Sequence, residues 1–95
     1  MSKYEVMFIV KPDMEESVIK TEAENLKKVL VDNGTKVLEE KAMGQRDLAY
    51  EIKKYTKGYY FLYVVEAPTA AIDEFERVVL INENILRHLI IRVED

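Results

Sequence analysis

The chain has no cysteine and no tryptophan, a single histidine, two prolines and three glycines in 95 residues. Without cysteine, disulfide frameworks, thiolate zinc sites, iron–sulfur clusters and cysteine nucleophiles are excluded, and the chain fits a reducing compartment. So little glycine and proline, beside 48% hydrophobic and 34% charged residues, excludes a collagen-like, linker-dominated or disordered chain. The longest unbroken apolar run covers residues 59–65, far short of a membrane span. The opening Met-Ser-Lys-Tyr-Glu lacks the basic-then-apolar order of a signal segment. Ser2 and Ser17 are the only serines, and neither sits in a glycine-flanked elbow. His88 lies alone in an apolar stretch, and an imidazole base needs an oriented partner. Asp13, Glu15 and Glu16 have no further ligands at calcium-loop spacing, and no glycine-rich phosphate loop is present. A non-enzyme is expected, with no metal, no cofactor and no small-molecule substrate.

What is present is periodicity. Tyr4, Val6, Phe8 and Val10 alternate with Met7 and Ile9, predicting a strand with one buried face and one partly apolar face. Pro12 cannot donate to a ladder and ends it. Asp13-Met14-Glu15-Glu16 has the form of a capping box, with the Asp13 carboxylate expected to accept from the Glu16 amide. Ile19, Ala23, Leu26 and Leu30 then recur at helical spacing, and Asn33-Gly34 supplies a left-handed stop. Period two returns over residues 35–52, where Gly44 predicts a bulge or bend. Residues 53–58 read as a polar connection and 59–66 as the next strand, together a long hairpin. Thr69 is the expected N-cap of a second helix, with Ile72, Phe75 and Val79 as its core stripe. Asn82-Glu83-Asn84 breaks that helix before a last strand over residues 85–93.

The order β-α-β-β-α-β predicts a single domain over residues 1–95 of α+β class. Two amphipathic helices need one face of a four-stranded antiparallel sheet to cover them, which is the ferredoxin-like sandwich. Right-handed crossovers put the first and third strands in the centre. With both helices on one face, function is expected on the open face, the edges and the hairpin tip.

Eighteen acids against fourteen bases give a net charge of −4, which on its own argues against a nucleic-acid binder. The distribution reverses that inference. Residues 13–33 carry six acids and three bases and residues 67–83 four acids and one base, so the helical segments hold −6 and the remainder +2. Lys36, Lys41, Arg46, Lys53, Lys54 and Lys57 fall in the hairpin, interleaved with Tyr50, Tyr55, Tyr59, Tyr60, Phe61 and Tyr63. Binding follows local potential within about a Debye length, so a mildly basic edge on an acidic domain can hold phosphate, best with a more basic partner. If Phe61, Tyr63 and Val65 point into the core, then Tyr60, Leu62 and Val64 point outward beside Met7 and Ile9. Such an apolar patch on a small domain implies a protein partner.

Two resemblances bear on these residues. Lys57-Gly58-Tyr59-Tyr60-Phe61-Leu62-Tyr63-Val64 partly resembles the RNA-recognition-motif signature and departs from it at Tyr60 and Val64. The broader resemblance is to the bacterial small-subunit ribosomal protein six family. It is carried by residues 4–12, by Gly44-Gln45-Arg46-Asp47-Leu48-Ala49-Tyr50-Glu51-Ile52, by Lys57-Gly58-Tyr59-Tyr60, by Val65-Glu66-Ala67-Pro68 and by Asn84-Ile85-Leu86-Arg87. This resemblance implies a ferredoxin-like structural component of the bacterial small ribosomal subunit. It also implies binding to small-subunit ribosomal RNA in the central domain together with ribosomal protein eighteen, hence a cytoplasmic, ribosome-associated location. Met43 stands where family members often carry tryptophan, and Glu51 where they often carry proline, so the Glu51 charge must guard that edge. The sequence reaches Asp95 without the variable tail of some members.

The RNA-binding candidates are therefore Lys3, Arg46, Tyr50, Lys53, Lys54, Arg87 and Arg92. The protein-partner candidates are Met7, Ile9, Tyr60, Leu62 and Val64. Gly44 serves strand geometry. Two alternatives share the fold: a stand-alone RNA-recognition module stacking bases on Tyr59 and Phe61, and a ligand-binding regulatory domain.

Overall fold

A computed structural model of the chain describes residues 1–93. The elements run β1 (Ser2–Val10), α1 (Glu16–Asp32), β2 (Lys36–Ile52), β3 (Tyr55–Ala67), α2 (Thr69–Ile81) and β4 (Ile85–Val93). The four strands form one antiparallel sheet in the order β2-β3-β1-β4, so β1 and β3 are central, as right-handed crossovers require.

Alternation along β1 decides which residues meet the helices. Val6, Phe8 and Val10 are buried, and their cross-strand partners Tyr63 and Phe61 on β3 share that face. Phe8 stands at the middle, stacked on Phe61 at 5.3 Å between centroids, edge-on to Tyr63 at 5.6 Å and tilted against Phe75 of α2 at 6.2 Å. Ile19, Ala23, Leu26 and Leu30 of α1 and Ala71, Ile72, Phe75 and Val79 of α2 close the layer, which confirms both helical stripes.

Helix ends follow the sequence at both C-termini, α2 stopping at Ile81 before Asn82, and depart from it at both N-termini. After α1, Gly34 adopts φ +88°, the Thr35 amide donates to the Leu30 carbonyl at 3.1 Å and the Gly34 amide to Val31 at 3.0 Å. That pair of bonds is a Schellman stop, as Asn33-Gly34 predicts. The expected capping box does not form: Glu15 occupies the N-cap position, and the Asp13 carboxylate instead accepts the Tyr55 hydroxyl at 2.7 Å and lies 3.8 Å from Lys11 Nζ. A phenol from the hairpin competes successfully for a carboxylate that sequence spacing assigned to the helix. Thr69 is the first helical residue, not the cap, because Pro68 with φ −71° takes the N-cap position and already carries the dihedral that enters the turn.

The hairpin connection is shorter than expected. Only Lys53 and Lys54 lie between the strands, both at positive φ (50° and 71°), the sign pattern of a type I′ turn. β3 thus starts at Tyr55, and residues 55–58 run past the end of β1, whose pairing begins at Tyr59. Gly44 has φ +77° beside a register shift between Ala42 and Gly44, the bulge that the sequence predicts. The loop between α2 and β4 is clamped to α1: the Asn82 and Asn84 side-chain amides donate to the two Glu22 carboxylate oxygens at 2.9 and 2.7 Å.

Tyr63 donates from within the core to the Ala23 carbonyl at 3.2 Å. Burial, helped by Glu40 and Glu24, pushes its phenol well above the ordinary 10.0. The unfolded chain therefore loses this proton first, so its stabilisation is complete below about pH 10 and declines as pH rises, by at most about 1.4 kcal/mol per pH unit. Lys27, raised by its bond to Glu40, adds to the same alkaline fall. Urea unfolding from pH 7 to 11 should show Tyr63→Phe with a shallower alkaline decline, at a cost of about 1 kcal/mol at pH 7 from the lost hydrogen bond.

Candidate nucleic-acid and partner interface

Register fixes what the sheet presents on the side away from the helices. Met7 pairs with Leu62 and Leu89, Glu5 with Val64 and Ile91, and Ile9 with Tyr60 and Arg87. Residues directly opposite each other share a face, so these rows form the open face. Met7, Tyr60, Leu62 and Val64 are half-buried there, as their alternation predicts. Leu89 and Ile91 extend the patch onto β4 at 44% and 47% exposure. Neither was among the candidates, although the alternation of β4 against Arg87 would have found both.

Ile9 departs from its expected role. It is only 3% exposed, so it packs within the chain and offers no surface to a partner. The cause lies in β2. Asp47 pairs with Lys57, but the next pairing is Ile52 with Tyr55, so Leu48, Ala49, Tyr50 and Glu51 face only Thr56. This excess bows the strand over the open face. Leu48, Ala49, Tyr50 and Ile52 of the bow line a shallow cleft of about 150 Å³ with Met7, Ile9, Tyr60, Arg87 and Leu89. The bow covers Ile9 and narrows the apolar patch at that end.

The same end gathers most of the basic candidates. Arg46 lies opposite Gly58 and donates from Nε to the Met43 carbonyl at 3.2 Å. Lys53 and Lys54 form the protruding turn and are exposed. Arg87 lies 5.8 Å over the Tyr50 ring and donates to the Tyr50 hydroxyl, joining edge strand β4 to the bow. Such contact of a guanidinium with a phenol face is a cation–π interaction. Tyr50 remains 59% exposed. On the helix side, the Tyr55 hydroxyl donates to Asp13, which raises the Tyr55 phenol above its ordinary value.

Lys3 and Arg92 do not join this cluster. Lys3 pairs with Glu66 and Val93 at the opposite end of the open face, six residues from Ile9 along β1 and so about 20 Å away. Arg92 pairs with Tyr4 and therefore lies on the helix-facing side of β4. A basic border running from Arg87 to Arg92 and Lys3 is corrected to one basic end, because strand alternation splits Arg87 from Arg92. The two aromatics required by the stand-alone RNA-recognition reading also face inward: Phe61 is 6% exposed and Tyr59 shares its face. Bases cannot stack on them without displacing the helices. Among the described residues no three histidine, aspartate or glutamate side chains group as a metal site, and no helix is long and apolar enough to cross a membrane.

A family model for ribosomal protein S6 matches residues 3–92. The chain is 45% identical over 94 residues to the small ribosomal subunit protein bS6 of Shouchella clausii (strain KSM-K16), covering 99% of each. It also matches the crystal structure of 30S ribosomal protein S6 from Thermotoga maritima, with a TM-score of 0.93 at 29% identity over 97% of this chain and 87% of that one.

Ile9 is seated against Gly58. A Cβ added there would stand 2.3 Å from Ile9 Cγ2 and 3.4 Å from the Val10 carbonyl oxygen. Ile9 is buried and branched at Cβ, so it cannot swing aside. Gly58→Ala should lower stability by about 1–3 kcal/mol in urea unfolding, with the largest amide shift changes at Ile9 and residues 48–52.

Proposed function

The chain belongs to the ribosomal protein S6 family, and on that premise we propose that it is a non-catalytic structural component of the small ribosomal subunit that binds small-subunit ribosomal RNA in its central domain together with ribosomal protein eighteen. The supporting observation is the division of the open face. One end carries Arg46, Lys53, Lys54 and Arg87, while the rest presents Met7, Leu62, Val64, Leu89 and Ile91. Phosphates suit the first surface and a protein side the second, and the two adjoin, so a partner seated on the apolar rows would also flank the RNA. The acidic helices lie on the opposite layer and do not oppose the backbone at short range. In this reading residues 1–95 act as one domain, on the ribosome in the cytoplasm. The basic residues set position and register, and no bond is made or broken.

The net charge of −4 makes the partner necessary. Filter binding of the lone chain to the RNA should be weak, with affinity restored by ribosomal protein eighteen and falling steeply with salt. Tight, salt-insensitive binding by the chain alone would overturn the reading. Leu89→Glu places a charge on an already exposed edge position, so it should leave folding intact and weaken partner capture about 10- to 100-fold, read by titration calorimetry.

A further inference from the structure

The protruding turn is tied down on both sides of the sheet. Residues 55–58 have no β1 partner, residues 48–51 lack regular pairing, and Lys53 and Lys54 hold positive φ without being glycine or asparagine. A two-stranded ribbon of this kind is marginal in water by itself. Two tyrosine hydroxyls flank the turn and point in opposite directions. Tyr50 reaches across the open face to Arg87 on β4, and Tyr55 reaches across the helix side to Asp13 in the segment before α1. Asp13 is in turn near Lys11, whose amide donates to the Asn84 carbonyl at 2.9 Å, so this second tie ends on a braced segment.

We propose that Tyr50 with Arg87 and Tyr55 with Asp13 are positioning pairs that hold the Lys53–Lys54 turn in one attitude before RNA arrives. The inference rests on the reading that this turn contacts RNA, and it changes the part played by two of the candidates. Arg87 and Tyr50 act on RNA through the turn and not by touching it. Free lysines on a loose ribbon would have to be ordered at binding, whereas here folding has already ordered them. Removing one oxygen from Tyr55 cuts its tie while the ring stays in place, whereas Tyr50 holds Arg87 by hydroxyl and ring face together and is cut by Tyr50→Leu.

The test uses the full chain. In the free protein, Tyr50→Leu combined with Tyr55→Phe should lower the amide order parameters of Lys53 and Lys54 from the rigid range near 0.85 to below about 0.6. With ribosomal protein eighteen and the central-domain RNA, the same double variant should bind about 3- to 10-fold more weakly with an unchanged dependence of log K on log salt. Arg87→Gln should also keep that slope, and its effect should not add to that of Tyr50→Leu, since both cut one tie. Lys53→Ala with Lys54→Ala should reduce the slope by about 0.9 for each phosphate no longer neutralised. Unchanged order parameters in the tyrosine double variant would overturn the proposal, as would a slope lowered by Arg87→Gln, which would mark Arg87 as a phosphate ligand. If the turn loosens as expected but the lysine variant binds RNA with full affinity and slope, the ties stand and the RNA-binding role of the turn fails.

Discussion

The structure depends on the seating of Phe8. Its ring meets Phe61, Tyr63 and Phe75 within 6.2 Å, and so joins both central strands to α2 through one set of aromatic contacts. A strand alternates strictly, so committing Phe8 to the helices commits Met7 and Ile9 to the other side. Pairing then carries the choice outward in both directions, to Leu62 and Tyr60 on β3 and to Leu89 and Arg87 on β4. A slip of one residue in β1 would exchange the core for the open face and bury Glu5. The surface assigned to partners is thus a consequence of how the core is filled.

Alternation also explains what was legible in the sequence and what was not. Element order, the helical stripes, the Gly34 stop and the Gly44 bulge are each set by neighbours a few residues away, and all were readable. The exchange of Asp13 from helix cap to Tyr55 was not, because its partner lies 42 positions along the chain. Arg87 and Arg92 look equivalent as two bases on one strand, yet they are five apart, an odd number, and fall on opposite faces. Leu89 and Ile91 were legible by the same arithmetic once β4 had been given a register. The burial of Ile9 needed more, since nothing local announces that four residues of β2 will face one residue of β3.

Charge and backbone strain are concentrated in different places, and this separates stability from function. The helices carry a net excess of acids, some of them in surface pairs, as Glu16 is with Lys20 at 3.6 Å. Exposed pairs of this kind contribute little to folding. Among the described residues, the positive-φ residues other than glycine are confined to the turn at Lys53 and Lys54. Asparagine and glycine would adopt that turn at lower cost, but neither carries charge. Unfavourable backbone held at two lysines fits the RNA-contacting role proposed for this turn.

Gly58 connects these observations. It is the residue over which Ile9 sits, and it lies opposite Arg46, next to Lys57 and within the segment that leaves β1 behind. Because it has no side chain, Ile9 Cγ2 can occupy that row of the open face, and the residues of the β2 bow line the cleft above Ile9. The same bow places Tyr50 against Arg87, so the basic end spans the sheet from β2 to β4. A missing side chain in the third strand thus seats Ile9 beneath the stretch of β2 that meets β4 through Tyr50 and Arg87. Net charge says little about such a surface, because the relevant quantity is which few bases the fold brings to one end.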